Sequence, residues 1–297
     1  MRSRCPSFRS GHAALGALVL LAACGSGSAD EPSPVVPAFA APDRTITGPQ
    51  GDVGQFVVEC DLSHIAPVDP IVHPGMDDMS HLHQFFGATG LRADSTYEEL
   101  VDGETTCEQR LDTASYWAPA LIDGDQAVIE PLGSVAYYRA GPGVDPAAVE
   151  PYPPGLMLVA GDQRALEPQP TSVVAWSCGV GAERSVRPPD CEDTLRMLVT
   201  YPDCWNGTDL TSSDYFDPAA RHAVYSSGGE CPATHPVHIP QLQFAIDYPP
   251  VTPDGLALSS GDILTGHADF WNAWDQAKLA NEVAACINRD LVCGLTG

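Results

Sequence analysis

Twenty-eight prolines are spread along the 297 residues of this chain, and they restrict its possible folds more than any other feature. A proline inside a helix removes a hydrogen bond and clashes with the preceding turn, so frequent prolines argue against long helices. The short segments between them are rich in β-branched and aromatic residues, which favours strands. Strands are predicted at 55–60, 127–130, 135–139, 156–160, 172–178, 196–201 and 242–248.

One stretch near the C-terminus departs from this pattern. From Asp269 to about Ile287, apolar residues recur at roughly helical spacing, and Asp269 is a suitable N-cap. The predicted fold is therefore mainly β. It is a single disulfide-stapled domain, either a β-sandwich or a distorted barrel, with Pro/Gly-rich loops and one C-terminal helix.

Cysteine usage indicates an oxidising compartment. Cys5 and Cys24 lie in the N-terminal segment, and eight cysteines remain in the body of the chain. An even number in an exported protein predicts four disulfides, although eight cysteines allow about a hundred connectivities. The simplest pairing joins sequence neighbours: Cys178 with Cys191, Cys204 with Cys231, Cys286 with Cys293, and the remaining Cys60 with Cys107.

The first residues read as an export signal. A basic start is followed by a short apolar run at 13–23, as in a signal peptide. The run ends in Leu21-Ala22-Ala23-Cys24, which resembles the bacterial lipobox, with ordinary secretion as the alternative. We predict a lipoprotein signal peptide at 1–23, a flexible tether at 24–50, and one domain at 51–297. The protein would be exported and held at the membrane, on its extracellular or periplasmic side, by a lipidated Cys24.

The charge balance excludes one class of partner. Without the three arginines of the signal peptide, 11 basic side chains stand against 39 acidic ones, a formal net charge of −28. Nucleic acid is excluded because so acidic a chain cannot neutralise phosphates. Divalent cations bound by clustered carboxylates would need a spacing such as the EF-hand loop, which the sequence lacks.

The densest group of chemically active residues is the segment that runs from Asp69 to Gly87. It contains His81-Leu82-His83, whose two imidazoles would project from one face if the tripeptide lay on a strand. Two imidazoles on one face are half of a metal site or two arms of a polar pocket. Two hydrogen-bonded structural histidines would show the same spacing.

Landmarks along the chain resemble an uncharacterised family of secreted proteins, catalogued as the domain of unknown function DUF1996. The opening signature is Asp69-Pro70-Ile71-Val72 followed by Ser80-His81-Leu82-His83-Gln84-Phe85-Phe86-Gly87. Later landmarks are the segments 116–121, 155–157, 201–207, 231–236 and 266–274, together with His222. Asn206 stands where the family usually carries an acid. The resemblance spans nearly everything from Cys60 to Cys293 and implies one domain, without an established activity.

The histidines and acids in these landmarks are the candidate site residues. A zinc or copper site needs three or four N/O ligands, ordered by carboxylates behind them. We predict metal ligands at His81, His83, His222 and His267, and catalytic roles for Asp69, His235 and Asp269. A metal-free His–Asp pair acting as acid and base is the alternative, and structural hydrogen bonding between loops is another.

Two functions follow as hypotheses. One is an exported enzyme, for example a metal-assisted hydrolase, acting on extracellular or cell-envelope glycan. The other is a non-catalytic surface lipoprotein that binds a glycan or a metal. The sequence has no nucleophile elbow, phosphate-binding loop, zincin helix or dinucleotide fingerprint, so those enzyme classes find no support.

Overall fold

The structure is a computed structural model that describes residues 53–293. Short strands connected by loops make up most of the described chain, as the spacing of the prolines requires. The strands are β1 Gln55–Cys60, β2 Leu62–Ala66, β3 His83–Gly87, β4 Ser115–Pro119, β5 Leu121–Ile122, β6 Gly133–Arg139, β7 Met157–Gly161, β8 Val174–Ser177, β9 Leu195–Thr200, β10 Cys204–Trp205, β11 Ala223–Val224, β12 Val237–His238, β13 Gln241–Tyr248, β14 Ala257–Leu258 and β15 His267–Trp271. The α-helices are α1 Tyr97–Val101 and α2 Gln276–Glu282, and single-turn 3-10 helices lie at Pro146–Ala148, Pro218–Ala220 and Ile263–Thr265.

Ten of these strands form two antiparallel sheets of five strands each. The first sheet has the order β1-β6-β13-β9-β8, and the second has the order β2-β3-β4-β15-β7. Two smaller sheets, β11-β10-β12 and β14-β5, complete the described architecture. Neither five-stranded sheet closes on itself, so the barrel alternative is wrong for residues 53–293.

The two large sheets share an aromatic core. Phe244 of the first sheet lies 5.6 Å from Phe86 and 5.5 Å from Tyr116 of the second sheet, measured between ring centroids. Phe270 of the second sheet contacts Tyr138 of the first at 6.4 Å. Because side chains alternate along a strand, the neighbours of these core residues point to the opposite face of each sheet.

Most predicted strands are confirmed to within a residue or two at their ends. The exception is 127–130, where only an isolated bridge forms between Ile122 and Val128. The predicted strand has only four residues and is followed by Pro131, so it is too short to extend this bridge into a regular ladder with a neighbouring strand.

The C-terminal helix is confirmed, but its predicted start is wrong. Asp269 lies inside β15, and the helix begins seven residues later with Asp275 as N-cap, whose side chain accepts a hydrogen bond from the Lys278 N–H at 2.8 Å. Phe270 and Trp274 are spaced as on a helix, but Phe270 lies in β15 and Trp274 forms an isolated antiparallel bridge with Asp112. The helix continues into a single π-turn at Val283–Ile287.

The four disulfides join the predicted pairs, three of them between sequence neighbours and the fourth between the two remaining cysteines. They are Cys60–Cys107, Cys178–Cys191, Cys204–Cys231 and Cys286–Cys293. Cys60 ends β1 at the edge of the first sheet, and its bond fixes that edge to the loop before β4. The chain is therefore cross-linked both at a sheet edge and at its C-terminal helix.

The predicted signal peptide and tether, including Cys24, lie outside the described residues. Between residues 53 and 293, no helix has the length and apolar character needed to cross a membrane.

A candidate metal centre on the second sheet

Two strands of the second sheet place a histidine at the same end. His83 is the first residue of β3 and His267 is the first residue of β15. Both strands pair antiparallel with β4, one on each side, so they run in the same direction and begin at the same edge. The strands themselves are about 10 Å apart, and the two imidazole rings close that gap to 5.8 Å between centroids.

These histidines face away from the aromatic core shared by the sheets. Phe86 and Phe270 belong to that core, whereas Phe85 and Trp271 belong to a separate cluster on the outer face. His83 lies two residues from Phe85, and period-two alternation places it on the outer face as well. The candidate site is therefore built on the outer face of the second sheet.

His81 completes a cluster of three imidazoles. The tripeptide prediction is only partly correct, because His83 alone lies in β3 and His81 precedes the strand. The His81 ring nevertheless lies 4.3 Å from that of His83 and 5.0 Å from that of His267, between centroids. Ligand atoms of all three side chains lie within 4.8 Å of one another. The Nε2 atoms of His81 and His267 are 3.2 Å apart, close to the roughly 3.3 Å separation of two nitrogens on a tetrahedral zinc ion.

Backbone carbonyls fix the tautomers of two of these rings. His83 Nδ1 lies 2.9 Å from the carbonyl oxygen of Val68, and His267 Nδ1 lies 2.8 Å from that of Thr265. A carbonyl oxygen only accepts, so each Nδ1 carries the proton and each Nε2 presents a lone pair. The buried His83 Nε2 has no hydrogen-bond partner among the described residues. This is how histidine ligands are usually oriented for a metal.

Burial keeps the three imidazoles neutral. Loss of solvation, with the neighbouring imidazole as a second cause, lowers the pKa of His81 and of His267 to about 3. The pKa of His83 is lowered well below its ordinary value, mainly by burial and then by His81. Because metals bind the neutral imidazole, the cluster is in its metal-binding form throughout the physiological pH range.

Two buried carboxylates adjoin the histidines. Ligand atoms of Asp69, His83 and Asp269 form a second group within 4.8 Å. Asp269 lies two residues after His267 on the same face of β15. Asp69 lies in the loop before β3, and its Oδ1 accepts hydrogen bonds from the backbone N–H groups of Ile71 and Val72, both at 3.0 Å.

Asp269 is the least satisfied polar group of this site. Its side chain is fully buried, and neither carboxyl oxygen has a hydrogen-bond partner among the described residues. Burial first, and the nearby Asp69 second, raise the pKa of Asp269 well above its ordinary value. Burial also raises the pKa of Asp69, against the two backbone hydrogen bonds that lower it. Such a carboxyl group either holds its proton or faces a cation.

A cleft of about 130 Å³ opens beside the cluster. Asp69, His267 and Asp269 line it. Sequence reasoning missed the other chemically important residues of its wall, Arg164, Tyr215 and Arg221. The sequence signal that could have indicated the two arginines is the scarcity of basic residues in so acidic a chain.

Two predicted site histidines lie elsewhere. His222, predicted as a ligand, belongs to neither group and its Nδ1 lies 2.8 Å from the Ser212 hydroxyl. His235, predicted as catalytic, donates from Nε2 to the carbonyl oxygen of Arg221 at 2.9 Å. Both therefore hold the loop that carries Arg221. The sequence placed His222 and His235 in the site because they belong to the same landmarks as the clustered histidines, and landmarks along a sequence do not give distances in the fold.

The protein is a disulfide-linked β protein with two facing antiparallel sheets. Its candidate metal centre lies on the outer face of the second sheet and consists of three imidazoles and two buried carboxyl groups. The model of the family described as a domain of unknown function (DUF1996) matches residues 69–274, and the chain belongs to this family. The matched region contains all five members of the cluster. Neither a curated protein nor a solved structure matches the chain.

Proposed function

We propose that this protein is an exported metal-dependent hydrolase whose metal is held by His81, His83 and His267. The observation that carries the proposal is the convergence of three neutral imidazoles, with ligand atoms within 4.8 Å, next to a cleft. Three nitrogen ligands with an open position are typical of catalytic zinc sites, and imidazole also suits copper. Zinc or copper is therefore the proposed cofactor.

The two carboxyl groups of the site, Asp269 and Asp69, are proposed to transfer protons, a role that imidazoles bound to a metal cannot take. A bound divalent ion would contribute Lewis acidity at the floor of the cleft. Asp269 is the proposed proton donor to the oxygen of a leaving group, since burial and the nearby Asp69 both raise its pKa above the ordinary value of a carboxyl group. Asp69, oriented by two backbone N–H groups, can accept a proton or complete the ligand set.

The walls of the cleft favour a glycan as substrate. Tyr215 and Phe216 present aromatic surface, and Gln163 presents a hydrogen-bonding amide group. Aromatic faces combined with polar groups are the usual means of holding a sugar ring. Extracellular or cell-envelope polysaccharide is therefore the proposed substrate class.

The proposed activity should depend on the metal. Incubation with a polysaccharide panel should release new reducing ends, and removal of metal with a chelator should abolish that release. Readdition of zinc or copper should restore it, and Asp269→Asn should lower the rate by about 100-fold or more because the proton donor is lost. Turnover that is unchanged after verified metal removal would refute a metal-dependent mechanism.

One observation favours a second candidate, a non-catalytic metal-binding surface protein. The cleft of about 130 Å³ is smaller than the roughly 300–1,000 Å³ of most ligand pockets. A metal bound without turnover of any tested polysaccharide would support this alternative.

We also propose that the mature chain is exported and attached to the membrane through a lipidated Cys24. The four disulfides support export, since such bonds persist in oxidising compartments. Cys24→Ser should release the protein from the membrane fraction or block its processing. Wild-type protein found in the medium with an unmodified N-terminus would contradict the lipid anchor.

A further inference from the structure

The cleft beside the candidate metal centre is lined by two of the few basic side chains of the protein. Arg164 and Arg221 both line it, in a body where 11 basic side chains stand against 39 acidic ones. Among residues 53–293, Arg92, Arg187, Arg196 and Lys278 form salt bridges with acids, and neither cleft arginine does. Arg110, Arg139, Arg184 and Arg289 form no salt bridge among the described residues either, but only Arg164 and Arg221 of the described arginines line this cleft.

Arg164 is held in place without being neutralised. Its guanidinium lies over the Phe216 ring, 3.8 Å from the ring centroid, and Nη2 donates to the Phe216 carbonyl oxygen at 3.5 Å. A cation–π contact fixes the plane of the guanidinium but leaves its charge and most of its N–H donors open. Phe216 itself lines the same cleft.

Arg221 is positioned through its backbone. His235 donates to the Arg221 carbonyl oxygen at 2.9 Å, and the adjacent His222 is anchored on Ser212. Both histidines therefore fix the segment that brings Arg221 to the cleft, while the Arg221 side chain stays exposed.

Among the described residues, no acidic group of the cleft forms a salt bridge with Arg164 or Arg221. Asp162 turns back on its own loop, where Oδ1 accepts a hydrogen bond from the Arg164 N–H at 2.8 Å. Asp69 and Asp269 lie at the floor, next to the imidazoles proposed to hold a cation. The wall of the cleft thus presents two guanidinium groups, and the proposed metal site lies at its floor.

From this arrangement we infer that the substrate is an acidic glycan, whose carboxylate or sulfate groups bind Arg164 and Arg221. The inference rests on the proposed function and narrows its substrate class. A guanidinium forms paired, charge-assisted hydrogen bonds with two oxygens of a carboxylate or of a tetrahedral oxyanion such as sulfate, a function of the arginines that a neutral sugar would leave unused. The net charge of −28 opposes the approach of an anionic polymer, but at physiological salt that repulsion is screened beyond about 8 Å. At physiological salt, binding of an anionic polymer therefore depends on its direct contacts with the cleft and little on the net charge of the protein.

Binding of full-length protein to four polymers tests the inference. Polygalacturonate, alginate, dextran sulfate and neutral dextran are compared at about 0.15 M salt by affinity electrophoresis, a salt level at which long-range repulsion is screened. At least one acidic polymer should bind, and dextran should not. Arg164→Gln and Arg221→Gln should each weaken binding about tenfold, the usual loss for one charge-assisted contact. Arg92→Gln, an exposed arginine outside the cleft, is the matched control and should bind like the wild type.

The same experiment distinguishes carboxylate from sulfate as the bound group. It also tests the acidic-glycan inference and the metal proposal independently of each other. Binding restricted to polygalacturonate or alginate identifies carboxylate, and binding restricted to dextran sulfate identifies sulfate. Metal content is measured on the same samples. A metal-loaded protein that binds no acidic polymer better than dextran, or whose cleft variants bind as well as Arg92→Gln, overturns the acidic-glycan inference alone. A protein that takes up no metal but shows arginine-dependent binding overturns the metal proposal alone.

Discussion

Protein produced without a polyhistidine tag should carry about one zinc or copper ion per chain, and His83→Asn should remove it. His83 is shared by both ligand groups, so its loss takes a nitrogen from the imidazole cluster and leaves the Asp69–Asp269 pair without its imidazole. Disturbing an outer-shell partner alone typically costs 10–100-fold in metal affinity. Removal of a direct ligand should therefore weaken binding by more than about 100-fold.

His222→Asn is the matched control for that variant. His222 is also buried, and its Nδ1 is also held by a hydrogen bond, in this case with Ser212. It lies outside both ligand groups, so its replacement should leave the metal content unchanged. Elemental analysis gives the metal content, and thermal melting of metal-free samples identifies a variant that has lost its fold. Equal metal loss in both variants, or metal retained by folded His83→Asn, would contradict the assignment.

The features that could be predicted from sequence are those set by local chemistry. Frequent prolines exclude long helices, and the three cysteine pairs near in sequence are joined as expected, as is the remaining pair Cys60–Cys107. The His81-Leu82-His83 spacing indicated in advance that two imidazoles lie close together, although His81 precedes β3 and does not lie in it. Local spacing therefore predicts most of the strands, the disulfides between sequence neighbours and two of the three clustered histidines.

Features that depend on packing between distant segments could not be predicted from local spacing in the sequence. His267 reaches His83 only because β3 and β15 flank the same strand, which no spacing along the chain reveals. His222 and His235 had equal claims in sequence, and only the fold excludes them. Asp269 illustrates a related ambiguity: its position before apolar residues suits an N-cap, whereas the ladder with β4 and β7 places it within a strand.

The disulfides should contribute unequally to stability, and Cys60–Cys107 should contribute most. It spans 47 residues, against seven for Cys286–Cys293. In the loop-entropy model, these separations correspond to about 4 kcal/mol and about 2.4 kcal/mol of unfolding free energy, because a longer closed loop removes more freedom from the unfolded chain. All four of these cysteines are buried in the shared core, so the unfilled volume left by their removal does not distinguish the two pairs and loop length decides the difference.

Urea unfolding of two double variants measures that difference. Cys60→Ala with Cys107→Ala should lose clearly more unfolding free energy than Cys286→Ala with Cys293→Ala, which serves as the short-loop comparison. The wild-type protein should react with no thiol reagent at the eight body cysteines until it is reduced, and reduction should lower its melting temperature sharply. Two or more reactive thiols in the folded, unreduced protein would contradict the four-bridge arrangement. A greater loss in the short-loop variant would instead show that strain or local packing outweighs the entropy of the closed loop.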